Sequence, residues 1–154
     1  MKLSANFTLQ EFTKSQTALR LGIDNTPQGE HLEAAQALFE NVVQKVRDQF
    51  GVTTINSGYR GPELNKAVGG APTSQHCNGE AADIECPGTA NKDLAEWINA
   101  NLDYDQLILE FYDPDIPDAG WVHVSYKSDG SNRKQALTAM KVDGKTKYFP
   151  GLGV

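Results

Sequence analysis

Apolar residues recur at helical spacing across residues 26–50. The positions concerned are Leu32, Ala35, Phe39, Val42, Val43, Val46 and Phe50. A spacing of three or four residues predicts an amphipathic helix with one buried face, and we expect it to be the main core helix. Thr26-Pro27 is predicted to open this helix, because proline suits the first helical position, and Gly51 to end it.

Shorter helices are predicted elsewhere. Thr8 and Glu11 have the spacing of a capping box, with Phe7 and Phe12 placed as a hydrophobic staple, so a helix is expected from Thr8 to about Ala18. A second short helix is predicted over residues 62–68. A third is expected over residues 90–101, with Thr89 as its cap and an apolar stripe along one side.

Several segments alternate between apolar and polar residues, as half-buried strands do. In residues 81–85, Asp83 lies on the face opposite Ala82 and Ile84, and should therefore point to a cleft. In residues 121–126, the core face carries Val122 and Val124. The opposite face of that strand carries Trp121, His123 and Ser125.

Three further segments also read as strands. Residues 106–111 alternate so that Glu110 shares the polar face with Gln106 and Ile108. Residues 52–56 are rich in β-branched side chains, and residues 136–149 are typical of a hairpin closed by Asp143-Gly144.

Helices come first along the chain, and strands with short connections follow. This order favours an α+β fold, with a small antiparallel sheet and helices packed on one side. At 154 residues, the chain is expected to form a single domain, 1–154.

Composition excludes several classes of protein. The formal net charge is −6, whereas nucleic-acid binding needs a basic face, so no nucleic-acid partner is expected. There is no apolar run long enough for a membrane span, and the N-terminus has no apolar segment typical of a secretory signal. We therefore expect the protein to be made in the cytoplasm. Separately, we expect it to be a monomer.

His76 and Asp83 stand out because a glycine and two alanines lie between them. Small residues allow the backbone to turn and approach closely. Imidazole nitrogen and carboxylate oxygen both bind Zn²⁺, and His123 would add another ligand from the predicted strand. Three protein ligands, with the fourth position left to water, are typical of a catalytic zinc site.

The segment Ser74–Asp83 has the pattern S-x-H-x-x-G-x-A-x-D, and a W-x-H follows at residues 121–123. Together they resemble the zinc D-alanyl-D-alanine carboxypeptidases and related peptidoglycan peptidases, including bacteriophage endolysins. The S-G-Y-R segment at residues 57–60 is similar to that family too, and the likeness runs from about Phe7 to about Tyr148. The resemblance implies a hedgehog-like fold and zinc ligation by His76, Asp83 and His123.

The resemblance also implies a general base shortly before the last zinc histidine. This chain departs from that pattern, because Gly120, Trp121 and Val122 precede His123. Glu110, at the end of the preceding strand and on its polar face, is the predicted substitute. Asp118 is the alternative, with Asp113 and Asp115 ranked below it.

Substrate-binding roles are predicted for Arg60, Ser74 and Trp121. Arg60 matches the family arginine that holds a substrate carboxylate, and a guanidinium grips carboxylates with two parallel hydrogen bonds. Ser74 would contact substrate or hydrogen-bond the loop, and Trp121 would line the cleft or pack.

Three residues near these motifs have plainer interpretations. Cys77 and Cys86 flank the histidine motif, but their spacing fits no zinc pattern and two cysteines make no disulfide framework. Their role is left open. His31 is expected to be a solvated helix residue.

The leading hypothesis is a zinc peptidase that cuts a bond in the peptidoglycan stem peptide or its cross-link. D-Ala-D-Ala carboxypeptidase and L-Ala-D-Glu or cross-link endopeptidase activities all remain open. Such a protein would reach the cell wall or periplasm after release, or as a phage component. The alternatives are an inactive zinc-folded module for wall binding or virion structure, and a metal-free domain whose motif is accidental.

Overall fold

The computed structural model describes residues 1–71, 73–116 and 119–152. The strands are β1 Lys2–Ser4, β2 Phe7–Thr8, β3 Thr54–Ser57, β4 Ala81–Glu85, β5 Gln106–Glu110, β6 Trp121–Ser125, β7 Gln135–Val142 and β8 Lys145–Pro150. The helices are α1 Leu9–Thr13, α2 Gln16–Leu21, α3 Glu30–Leu38, α4 Gln44–Phe50, α5 Pro62–Ala67 and α6 Asn91–Asn101. A π-helical turn, Phe39–Val43, joins α3 to α4, and a 3₁₀ turn spans Gln75–Asn78. The predicted α+β class is confirmed.

Six strands form the main sheet in the order β3-β4-β6-β5-β7-β8. Every neighbouring pair is antiparallel except β5 with β7, which run parallel. The exception follows from the connection 126–134, which starts at the end of β6 beside the beginning of β5. This loop crosses over the beginning of β5 and enters β7 from that same side, so β7 runs in the direction of β5. β1 and β2 make a separate pair that the sequence analysis missed.

Helices cover one face of this sheet. Its buried side chains include Ile84, Leu107, Leu109, Val122 and Val124, which join a core with residues of α3, α4 and α6. The alternation predicted for β4, β5 and β6 is therefore confirmed, and polar residues are left on the opposite face.

The long core helix begins later than predicted. Gly29, at φ 54°, precedes its first residue, so the predicted opening at Thr26-Pro27 is wrong. Asn25 explains the delay: its side chain bonds Thr13 O, Tyr59 O and Gly61 N, which ties the chain to other segments before the helix starts. The predicted end at Gly51, at φ 86°, is confirmed.

Helix boundaries near two caps also differ from expectation. The capping box of Thr8 and Glu11 is present, but α1 ends at Thr13, so the predicted continuation to Ala18 is wrong. Ser15 ends the continuity because its side chain accepts a hydrogen bond from Ala18 N and starts α2. Thr89 does not cap α6, whose N-cap is Ala90.

The remaining elements follow the predictions closely. α5 and the β7–β8 hairpin are confirmed, and Asp143 and Gly144 both have the positive φ that a tight hairpin turn requires. β3 lies slightly later than the predicted strand 52–56. No helix in the described ranges is long and apolar enough to cross a membrane.

Asp105 holds the loop 126–134 over the beginning of β5. Its buried carboxylate accepts hydrogen bonds from Arg133 N, Nε and Nη2, and from Gln75 Nε2, at 2.8–3.0 Å. Burial alone would raise the pKa of Asp105, but the bonds from Arg133 and Gln75 outweigh it and lower that pKa. The carboxylate therefore stabilises the fold in its ionised form.

Asp105→Asn is expected to lower the free energy of unfolding by about 1–3 kcal/mol, since one charged hydrogen-bond network is lost. A lowered native pKa contributes stability above the ordinary value near 3.9, and that stability disappears as the pH falls through the native pKa. Urea titrations should therefore show the full difference from wild type at pH 6 and a shrinking one below about pH 4. The exposed Asp103→Asn serves as control, and an equal loss there would contradict the assignment.

Candidate active site

Strand register places Asp83 and His123 side by side. Asp83 of β4 pairs with His123 of β6, which pairs with Ile108 of β5 on its other side. Residues directly opposite in adjacent strands project from the same face. Asp83 and His123 therefore emerge together on the polar face, away from the helices.

His76 reaches the same point from the 3₁₀ turn. Ser74 caps this turn, its hydroxyl accepting a hydrogen bond from His76 N at 3.2 Å. Gly79 ends it at φ 76°, close against the backbone of His31, where any side chain would collide. The tight loop leaves His76 only 4% exposed.

The three predicted ligands converge. One ligand atom from each residue can be chosen so that the three atoms lie within 4.8 Å of one another. Asp83 Oδ1 is 3.0 Å from His123 Nδ1 and 3.5 Å from His76 Nε2. Burial alone would raise the pKa of Asp83, but hydrogen bonds from His123 and His76 outweigh it and hold that pKa well below its ordinary value. The carboxylate is thus ionised and available to a cation.

His76 is also oriented for metal binding. Its Nδ1 lies 2.7 Å from the carbonyl of Gly58, which can only accept, so Nδ1 carries a proton. Nε2 faces Asp83 and would give up its own proton to offer a lone pair to a metal. Metal-bound histidines are commonly oriented by such a second hydrogen bond. Two imidazoles and one ionised carboxylate in this cluster fit zinc.

The S-G-Y-R segment supports this orientation. Tyr59 N donates to Phe12 O, and Arg60 N donates to His76 O, so the segment lies between α1 and the 3₁₀ turn. Tyr59 also bonds His31 Nδ1 at 2.9 Å, which leaves His31 partly buried rather than solvated as predicted.

A cleft of about 620 Å³ opens at the three ligands. The predicted substrate residues Arg60, Ser74 and Trp121 all line it, together with Glu110. Arg60 Nε is buried and has no hydrogen-bond partner within the described residues. The Ser74 hydroxyl stabilises the loop, one of the two roles considered for it.

Glu110 lies on β5, two residues beyond Ile108, the residue that pairs with the candidate ligand His123. It pairs with Trp121, whose indole Nε1 donates to Glu110 Oε2 at 2.6 Å. Burial raises the pKa of Glu110, as does the nearby charge of Asp83, while His123, Trp121 and His76 oppose the rise. The geometry thus gives a partly buried, oriented carboxylate whose pKa has moved toward neutrality.

The other acidic residues considered as the general base are not found beside Glu110 in the described cleft. Asp118 lies outside the described residues. Asp113 and Asp115 belong to the connection after β5, and neither lines the cleft.

Both cysteines are buried free thiols whose pKa is raised by burial. Neither belongs to the His76–Asp83–His123 group, and Cys86 instead lies 3.4 Å from the hydroxyl of Thr53.

Several cleft residues were missed from the sequence. Gln106 and Ile108 share a face of β5 with Glu110, because they lie at every second residue. The strand pattern therefore placed them on this face, although no role in the cleft was predicted for them. Lys127, Arg133 and Tyr148 carry no such signal, since only the crossing loop and β8 bring them to the cleft.

Comparison with known proteins now decides the family. Residues 5–125, most of the chain, match the family described as Peptidase M15. The chain belongs to the M15 peptidase family. The match includes all three candidate ligands as well as Arg60 and Glu110, and it confirms the relationship indicated by the motif. Comparison with curated proteins gave no match.

Membership in the M15 family indicates a peptidase, and His76, Asp83 and His123 form a group that could hold a metal ion. We expect metal-loaded protein to contain about one zinc per chain, since three donors with one open position define a single catalytic site. Asp83→Ala should abolish binding, measured by elemental analysis after dialysis. His31→Ala is the matched control; zinc loss there as well would contradict the assigned ligand set.

Proposed function

We propose that this M15 family member is a zinc-dependent peptidase that hydrolyses a peptide bond in the stem peptide of bacterial peptidoglycan. The observation that carries the proposal is the convergence of His76, Asp83 and His123 beside Glu110 in one cleft. The bond cut would be D-Ala-D-Ala, L-Ala-D-Glu or a cross-link. A protein with this activity could act as a phage endolysin, which degrades the bacterial cell wall.

His76, Asp83 and His123 would hold the ion. When bound, zinc would polarise the scissile carbonyl and lower the pKa of water. Because Gly58 engages His76 Nδ1, the imidazole presents Nε2 without reorganisation. The surrounding sheet and loop thus supply a preformed set of donors.

Glu110 is proposed to move the proton. A general base works best when its pKa lies near the operating pH, and burial shifts Glu110 in that direction. Trp121 binds Oε2 and leaves Oε1 to take a proton from water and return it to the leaving amine. This role compensates for Gly120, which stands where related enzymes have an acidic residue.

Arg60 is proposed to hold a carboxylate of the peptide. It lines the cleft, and its Nε makes no protein hydrogen bond in the part of the chain described. A planar guanidinium with free donors is suited to a carboxylate.

An inactive zinc-folded module is the alternative, motivated by Gly120 before His123. Incubation of the purified protein with peptidoglycan separates the two functions. Release of new amino groups would support the peptidase. If the protein binds zinc but releases no amino groups, the inactive module is supported. Mass spectrometry of the muropeptides then identifies the bond.

Glu110→Gln should reduce kcat by about 10²–10⁴-fold, because a proton acceptor is lost while the shape remains. Zinc content should stay at the wild-type level, measured on the same samples. Asp113→Asn, outside the cleft, is the matched control and should retain turnover. Full activity of Glu110→Gln would place the base elsewhere, with Asp118 tested next.

Arg60→Lys should raise KM about tenfold with little change in kcat, since the charge remains but the planar pair of donors is lost. Steady-state kinetics on a peptide with a free C-terminal carboxylate, and on its amide, provide the check. An equal rise in KM for both peptides would argue against carboxylate recognition.

A further inference from the structure

Two cationic side chains, Lys127 and Arg133, line the metal cleft without a part in the proposed reaction. Both belong to the loop 126–134 and lie beyond residues 5–125, which match the family. The chain as a whole carries a formal net charge of −6. These two cations therefore give one end of the cleft positive charge in a chain that is acidic as a whole.

Arg133 is held in a fixed orientation. Its Nε and Nη2 bond the two carboxylate oxygens of Asp105 at 3.0 and 2.8 Å. The Asp105 side chain is fully buried, whereas that of Arg133 is 53% exposed. A guanidinium has five N–H donors, so those not directed at Asp105 remain for a ligand in the cleft.

Lys127 is partly buried, and its backbone is fixed by the side chain of Asn132, which accepts from Lys127 N at 2.8 Å. Its ammonium forms no salt bridge within the described residues. Glu80 also lines this end of the cleft, where its carbonyl accepts from Tyr126 N. The Glu80 carboxylate likewise makes no salt bridge in the described ranges.

Chain spacing along and just beyond β6 gives an approximate backbone distance from His123 to Lys127. Ser125 follows His123 by two residues, about 7 Å of strand, and Lys127 follows by two more. Glu110 lies in the opposite direction, because it pairs with Trp121. A span of about 7–13 Å corresponds to about two to four residues of extended peptide.

We propose that Lys127 and Arg133 form a second carboxylate-binding subsite, which holds an acidic residue of the peptide two or more residues from the bond that is cut. The proposal rests on the proposed function and deepens it by defining the substrate. A stem peptide carries a suitable group, the free α-carboxylate of γ-linked D-glutamate. Arg133 supplies oriented donors and Lys127 supplies an adjustable charge.

The test uses two stem pentapeptides, L-Ala-γ-D-Glu-L-Lys-D-Ala-D-Ala and the same peptide with the D-glutamate α-carboxylate converted to its amide. They differ only in the group that the subsite would bind. Zinc-loaded wild type should prefer the free carboxylate by about tenfold in kcat/KM, mainly through KM. If neither peptide is cut, Kd is measured by calorimetry on the same zinc-loaded proteins and the same preference is expected.

Lys127→Met should reduce this preference to about twofold or less, by weakening only the carboxylate peptide. Lys134→Met is the matched control: it removes an equal charge from the same loop but lies outside the cleft lining, so the preference should survive. Arg133→Lys keeps a cation beside Asp105 and should reduce the preference in part. Glu80→Gln should increase it, because a competing anion is removed.

Equal binding of the two peptides by wild type would overturn the subsite. So would an identical loss of preference in Lys127→Met and Lys134→Met, which would indicate a general charge effect. Absence of cleavage, with the preference in Kd intact, would instead count against the proposed peptidase alone.

Discussion

The site depends on keeping one largely buried carboxylate ionised at the base of the cleft. Asp83 is 15% exposed in its side chain, and burying an unpaired charge of this kind would be costly. Two histidines on either side offset that cost before any cation is present. The same arrangement brings two nitrogen donors to the carboxylate, so the interactions that stabilise Asp83 also assemble the candidate metal site.

The three candidate ligands are held in place by two kinds of structure, a sheet and a loop. β4 and β6 fix Asp83 and His123 through backbone pairing, which cannot slip without exchanging the core face for the polar face. His76 depends instead on side-chain and loop contacts, chiefly the Gly58 carbonyl and the Ser74 cap. Two ligands are therefore positioned by a rigid sheet, and the third by a loop packed against α3.

The loop 126–134 extends this arrangement to the rest of the cleft. Asp105 holds Arg133 on one side and Gln75, the neighbour of His76, on the other. One buried carboxylate thus connects the crossing loop to the 3₁₀ turn that carries a ligand. Because the loop also determines the parallel pairing of β7 with β5, the same connection shapes the sheet and places cations at the cleft.

The amino-acid sequence by itself determined the α+β class, the faces of β4, β5 and β6, and the candidate ligands, because residue alternation and a dense local motif are short-range properties. It failed where long-range contacts decided the outcome: the late start of α3 behind Asn25, the partly buried His31, and the arrival of Arg133 and Tyr148 at the cleft. Glu110 lies between these cases, since its face followed from alternation but its bond to Trp121 required the strand pairing. Only the tertiary structure selects which strand ends and loops become neighbours, because that choice depends on packing between segments far apart in the chain.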